Sequence, residues 1–318
     1  MSLNEFSLIE RYFANTGKTQ YAARLSQGDD AAIVAIPAGM QAVMSMDTLI
    51  GGVHFPKNTS ATDIAYKSLA VNLSDLAAMA ATPAWFMVSL SLPDFDEAWL
   101  NAFSRSLKEV AETYQVELIG GDTCRGPLSI TVQITGLVQK DRFVTRSGAR
   151  VGDKIMVSGL LGSAALGLAH LQKHIKLPET ISGECLSALK RPLPRIELAD
   201  FLSRYASAAI DLSDGLVGDL AHILKSSGVG AEINQSKLPV DEWIIENNAY
   251  QYALSGGDDY EICFTLPAKY WPRVVQWNQQ NPDCRLSQIG EICESDYTLI
   301  QGEQTVDLSN WRGYQHFD

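Results

Sequence analysis

Apolar positions recur at helical spacing in some stretches of this chain and alternate in others, and the two periods take turns. Phe6, Ile9 and Phe13 share one side of a predicted helix over Glu5–Phe13. Ile64, Leu69, Leu73 and Leu76 line a longer one over Thr62–Ala81, with Pro83 just past its end. Asp96–Tyr114 reads as a third, amphipathic helix. Ala31–Ile36 and Gln41–Met46 are apolar, β-rich runs separated by Pro37-Ala38-Gly39, which predicts a hairpin. Trp85–Leu92, Glu117–Ile119 and Ser129–Val138 have the pattern of strands. This βαβ-like alternation fills residues 1–140.

Gly and charge then crowd into Arg146–Asp153, and a strand pattern restarts at Lys154–Ser158, so a domain boundary is placed there. The second domain, 141–318, shows helices at Ser163–Leu171, Arg195–Tyr205 and Leu216–Lys225. Its strands are Ala208–Asp211 and Ile262–Leu266, and a mixed stretch ends it. The class is therefore α/β in two domains, a division that 318 residues allow.

Apolar residues make up 46% and charged residues 19%, as in an ordinary folded protein. The net charge of -12, with no Lys/Arg cluster, repels phosphate backbones and excludes nucleic acid as a partner. No stretch approaches the ~20 apolar residues of a membrane span. Met1–Arg11 has no apolar core of a signal peptide, and the five cysteines form no C-x-x-C pair. These features predict reduced thiols and a cytoplasmic protein.

The acidity has a pattern of its own. Asp stands beside Gly, Ser or another Asp in six places: Gly28–Asp30, Ser45–Asp47, Asn72–Asp75, Gly120–Asp122, Asp211–Gly215 and Gly256–Glu261. Several of these follow apolar runs, the composition of strand ends where Gly lets a ligand approach. Asp75 lies inside a largely apolar helix, where a carboxylate without a partner is costly. Asp63, Asp96 and Asp153 are assigned instead to turns and helix caps. Oxygen ligands with few His select hard cations, and Mg2+ bridges carboxylates to phosphates. The clusters therefore read as an enzyme that handles a nucleoside triphosphate through several Mg2+ ions.

Two glycine motifs do not support a simpler reading. Gly17-Lys18-Thr19 is no P-loop, because Tyr12 stands where that motif needs Gly and no strand precedes it. Gly159–Gly167 matches no dinucleotide or phosphate-loop pattern and is read as close helix packing through small residues.

Taken together, these segments resemble thiamine-monophosphate kinase, of the superfamily that includes aminoimidazole-ribonucleotide and selenophosphate synthetases. The segments are Gly28–Ala32, Asp47–Phe55, Ala70–Met79, Gly120–Thr123, Arg146–Asp153, Ile210–Leu216, Gly256–Glu261 and Gly313–Phe317. The resemblance implies a two-domain aminoimidazole-ribonucleotide synthetase-like fold. Its N-terminal α/β domain binds ATP and metal and forms a homodimer through its sheet, and its C-terminal α/β domain completes the active site. It implies phosphorylation of thiamine monophosphate to thiamine diphosphate by ATP, with no general base.

Carried over by motif, the metal ligands are Asp30, Ser45, Met46 (through its carbonyl, where Thr is usual), Asp47, Asp75, Asp122, Asp211 and Asp214. ATP contacts are Gly121, Asp122, Arg146 and Ser213, and an aromatic expected near position 105 is Arg105 here. The substrate side is His54, Glu261 and Tyr314. Other members of the superfamily are alternatives that fit less well. Selenophosphate synthetases carry a reactive Cys near the N-terminus, absent from residues 1–28, and hydrogenase-maturation relatives end in Cys, where this chain ends His-Phe-Asp. A non-catalytic metal- or nucleotide-binding protein is the alternative from another class.

Overall fold

A computed structural model describes residues 5–309 and Trp311. The chain divides into two units: residues 1–76 with 81–141, and 142 onward together with Ala77–Ala80.

The first unit runs α1 (Glu5–Phe13), β1 (Met40–Ile50), α2 (Ala61–Ala78), β2 (Thr82–Leu92), α3 (Glu97–Thr113), β3 (Glu117–Arg125) and β4 (Ser129–Gln139). Its four strands order as β1-β4-β2-β3, antiparallel except for the β2–β3 pair. Alternation decides which residues are covered. Ile130, Val132, Ile134, Phe86, Val88 and Leu90 share one face and are buried, whereas Met44, Met46 and Met87 stand exposed on the other. Ile64, Leu69, Leu73 and Leu76 of α2 are also buried, and Ala80, with φ of 59°, turns the chain out of the helix. Asp96 caps α3 by accepting the Trp99 N–H at 3.0 Å, while α2 is capped by the Ser60 hydroxyl, which accepts from the Asp63 N–H.

One sequence expectation fails here. Ala31–Ile36 forms no strand; it pairs with Leu25 only at Ile33, and Ile33, Val34 and Ile36 are exposed. The turn at Pro37–Gly39 exists, with the Met40 N–H donating to the Pro37 carbonyl, but it leads out of an irregular segment. β-branched residues favour a pleated surface only where a neighbouring strand supplies one.

The second unit continues with β5 (Lys154–Ser158), α4 (Ser163–Leu171), α5 (Glu179–Lys190), α6 (Ala199–Tyr205), β6 (Ala208–Asp211) and α7 (Leu216–Ser227). It then runs through β7 (Gly230–Asn234), α8 (Glu242–Glu246), α9 (Gln251–Ser255), β8 (Ile262–Leu266), α10 (Trp271–Gln280), β9 (Leu286–Cys293), β10 (Tyr297–Gln301) and β11 (Gln304–Asp307). Seven strands form one sheet in the order β11-β10-β7-β9-β5-β8-β6. Every residue of β8 is buried, as in a strand covered on both faces. Gly167 brings α4 onto α5: a Cβ there would lie 2.3 Å from the Cys185 carbonyl oxygen. Helix packing thus accounts for that end of the 159–167 motif.

Candidate active site

The first unit joins two of the acidic motifs directly. Ser45 and Asp47 lie two residues apart on β1 and so share a face. The Ser45 hydroxyl donates to the Asp75 carboxylate, and the Asp47 N–H donates to Asn72 Oδ1 at 3.1 Å. Asn72 itself is buried and anchored by donating to the Ser68 carbonyl. The carboxylate that looked misplaced on an apolar helix is therefore met by a strand, and both Asp47 and Asp75 are half-buried. Antiparallel alternation, with the Asp47 N–H turned off the ladder, directs the Met46 N–H and carbonyl toward Gln133. The Met46 side chain is 63% exposed, so any metal contact there falls to its carbonyl's second lone pair.

Register separates Asp122 from this pair. Asp122 aligns with Ser89, which aligns with Thr131 and Thr48, on the exposed face opposite to Asp47. Gly121 is fixed by packing, since a Cβ would stand 1.9 Å from the Val88 carbonyl oxygen of the neighbouring strand. Asp30 lies in an exposed segment outside any strand, and its N–H donates to Asp29 Oδ1. His54 follows β1 and accepts the Ile50 N–H at Nδ1, 3.1 Å away. With Nδ1 accepting, the neutral imidazole carries its proton on Nε2, which makes that nitrogen a donor and not a base. Arg105 is exposed on α3.

In the second unit, two acidic motifs are stitched into one structure. β6 ends on the buried Asp211. Beyond it the Leu212 N–H donates to the Glu261 carbonyl, the Tyr260 N–H to Leu212 and the Asp258 N–H to Ser213, all at 2.8–2.9 Å. Asp258 and Tyr260 have φ of 70° and 50°, a left-handed conformation that costs a non-glycine residue about 1–3 kcal/mol. Asp214 follows Ser213, and both are half-buried; Arg146 is exposed.

Two further acids here, Asp259 and Glu261, are held by partners within the second unit. Asp259 accepts the Gly162 N–H with both carboxylate oxygens, at 3.0 and 2.9 Å, and the Ala164 N–H as well. It thereby occupies the N-terminus of α4, where a phosphate would otherwise find donors. Burial pushes its carboxyl well above the usual range. Glu261, which the resemblance puts beside the substrate, is 7% exposed and fully engaged. Arg195 donates to it from Nε at 2.7 Å and Nη2 at 2.5 Å, and the Ser158 hydroxyl donates at 2.5 Å. Burial alone would lower the Arg195 pKa, but the hydrogen bonds and charge of Glu261 outweigh it and hold the guanidinium charged. As placed, Glu261 is tied to Arg195 and Ser158 inside the second unit. Tyr314 lies outside the described residues.

One acid escaped the sequence reading altogether. Asp219, in the first turn of α7, is 3% exposed, and its Oδ2 accepts the Asp214 N–H at 3.0 Å and the Gly215 N–H at 3.1 Å. Burial pushes its pKa up to about 7, against the opposing pull of those bonds and of Arg146. Its only signal in sequence is a carboxylate one turn into a helix that opens on a glycine.

Among the described residues no three His, Cys, Asp or Glu side chains converge as a metal-holding group. Mg2+ is commonly held by one or two carboxylates plus substrate phosphates and not by an all-protein cage. The Asp47–Asp75–Ser45 oxygens and the Asp211–Asp214 segment offer such partial sets of hard oxygens. Cys185 and Cys263 are buried thiols whose pKa burial raises, that of Cys185 to about 11. A groove of about 820 Å3 beside α10, lined by Trp271, Val275 and Arg285 among others, includes none of these acids. No helix among the described residues is long and apolar enough to cross a membrane.

Comparison with known proteins defines the class first. Residues 28–138 match the AIR synthase related protein N-terminal domain, and residues 150–301 match its C-terminal domain. Thiamine-monophosphate kinase of Escherichia coli O157:H7 is 43% identical, covering 100% of this chain and 99% of the relative. A crystal structure of thiamine-monophosphate kinase from Stenotrophomonas maltophilia K279a superposes with a TM-score of 0.84 at 42% identity, over 92% of this chain and 95% of that one. A structure of AaThiL complexed with AMPPCP and TMP gives 0.77 at 31% identity, over 98% and 96% of the two chains. The chain belongs to the AIR synthase related proteins, and within them to the thiamine-monophosphate kinase family.

Proposed function

We propose that this chain transfers the γ-phosphoryl group of ATP to the phosphate of thiamine monophosphate, giving thiamine diphosphate and ADP. The observation that carries this reading is likeness to thiamine-monophosphate kinases, 43% identity over the whole length of the chain. The chemistry is consistent with the residues. A phosphate monoester has its second pKa near ~6 and is largely dianionic at neutral pH, so it attacks phosphorus without a base. One of its oxygens forms the new P–O bond as the β,γ bridge of ATP breaks. His54, with Nδ1 already accepting, is suited to donate to a phosphate oxygen. Bound Mg2+ would supply charge neutralisation between the two polyanions. In the first unit Asp30, Ser45, Met46 (carbonyl), Asp47, Asp75 and Asp122 are its proposed ligands, and in the second Asp211 and Asp214. Gly121, Asp122, Arg146 and Ser213 are the proposed ATP contacts, and His54, Glu261 and Tyr314 the proposed substrate contacts.

A cytoplasmic homodimer belongs to the same reading. The helix-free face of the first unit's sheet exposes Met44, Met46 and Met87, at 69%, 63% and 36%, and Asp122 shares that face. Association through that face would cover the methionines and set Asp122 at the seam. The test is ATP turnover with and without thiamine monophosphate, with product analysis and with chelator followed by Mg2+. Formation of thiamine diphosphate that stops with chelator and returns with Mg2+ is the expected result. Unphosphorylated thiamine should not be phosphorylated. ATP turnover indifferent to thiamine monophosphate would overturn the assignment.

A further inference from the structure

We infer that Asp219 is a positioning residue: it holds the Asp211–Gly215 loop in the conformation that presents Asp211 and Asp214 to metal. The inference rests on the reading that those two carboxylates are metal ligands.

Asp219 cannot itself reach a ligand, being 3% exposed within the second unit's core. What it reaches is backbone. One oxygen accepts two successive amides, those of Asp214 and Gly215, so it fixes the peptide planes on both sides of the Asp214 Cα. The direction of the Asp214 side chain follows from those planes. The same residue donates its own N–H to the Gly215 carbonyl at 3.0 Å, closing the first turn of α7 on the loop it supports. Gly215 allows this with φ of 110°, and a Cβ there would lie 2.8 Å from the Ser255 carbonyl carbon. The second loop holds the other side, through Leu212 to Glu261 and Asp258 to Ser213. Among residues 212–215, the Ser213 N–H alone has no partner among the described residues, which leaves that donor for a phosphate oxygen.

A buried carboxylate is an expensive way to tie two amides, since a neutral acceptor would avoid desolvating a charge. Its presence beside a loop carrying two further acids is explained if orientation of those acids is what it secures. Outer residues that orient metal ligands typically change metal affinity by about 10–100-fold when removed.

The experiment measures free Mn2+ by electron paramagnetic resonance during titration of the full chain with a non-hydrolysable ATP analogue present. Three variants are compared, with melting temperature followed in each. Asp219→Ala should weaken Mn2+ binding by about 10–100-fold. Asp219→Asn, whose amide oxygen can accept the same two N–H groups, should recover most of that loss. Asp219→Glu keeps the charge but moves the oxygen, and should weaken binding while remaining folded even if the Ala variant does not. Wild-type affinity in Asp219→Glu, or Mn2+ binding in a folded Asp219→Ala equal to wild type, overturns the inference. Asp214→Asn is the control for the reading beneath it. If that change leaves Mn2+ binding intact, the metal-ligand assignment itself fails; if it weakens binding while the Asp219 variants do not, only the positioning role fails.

Discussion

Asp75 and Glu261 look alike in sequence, each a carboxylate next to apolar residues in an acid-rich motif, yet the fold surrounds them differently. Asp75 is half-buried and accepts from a neutral hydroxyl, that of Ser45. Glu261 is buried against a guanidinium that takes both of its oxygens, with Ser158 adding a third donor. Its charge meets a cation inside the fold. Burial depth and the charge of these partners set the two carboxylates apart.

Breaking each partner set should therefore damage different properties. The largest effect is expected from Glu261→Ala, which strands the Arg195 guanidinium in the core. Removing one member of a buried pair costs about 3–5 kcal/mol, so chemical denaturation should show a loss of that order. A Glu261→Ala protein of unchanged stability but raised KM for thiamine monophosphate would mean that the pair with Arg195 contributes little to the fold. Next come Asp47→Asn and Asp75→Asn. Each should lower kcat by about 10^2–10^3-fold, the scale of a lost electrostatic contact in the transition state. Neither should change the melting temperature much. Near-wild-type turnover in both would remove them from the metal-binding set.

These contrasts also show what sequence can reveal. Lys154–Ser158, Ala208–Asp211 and Ile262–Leu266 are strands with the expected bounds, because uninterrupted apolar runs announce a covered sheet. α5, β7 and β9 were not foreseen: their faces mix Ser, Gln and Glu with scattered apolar residues, and only tertiary packing selects their period. Ala31–Ile36 carried the right residues for a strand but has no continuous partner. At the candidate site, pairing of Asp47 and Asp75 was legible as chemistry but not as geometry, since nothing in the sequence joins β1 to α2. The face on which Asp122 falls depends on a register shift between Phe86 and Met87 that no motif encodes. Asp219 was invisible because a lone helical Asp is usually solvated.

The smallest effect sharpens the comparison within the second unit, where Asp259 caps α4. Burial raises its folded pKa well above the usual 3.8. For a raised acid the folded state keeps a proton that the unfolded chain has already released. Between the unfolded and the folded pKa, the folded state therefore binds more protons, and stability falls as pH rises. The contribution is fully present below about pH 4 and is lost progressively upward, at no more than about 1.4 kcal/mol per pH unit for one proton. Asp259→Asn keeps an oxygen for the Gly162 and Ala164 amides and removes the titration. Urea denaturation of both proteins at stepped pH from about 5 to 8 should show the wild type losing stability relative to the variant as pH rises. If the wild type gains instead, the amides at the start of α4 stabilise the charged carboxylate more than burial penalises it. Asp259 would then belong with the helix-terminus anions, and the N-terminus of α4 would be a charge-binding site that the protein fills with its own side chain.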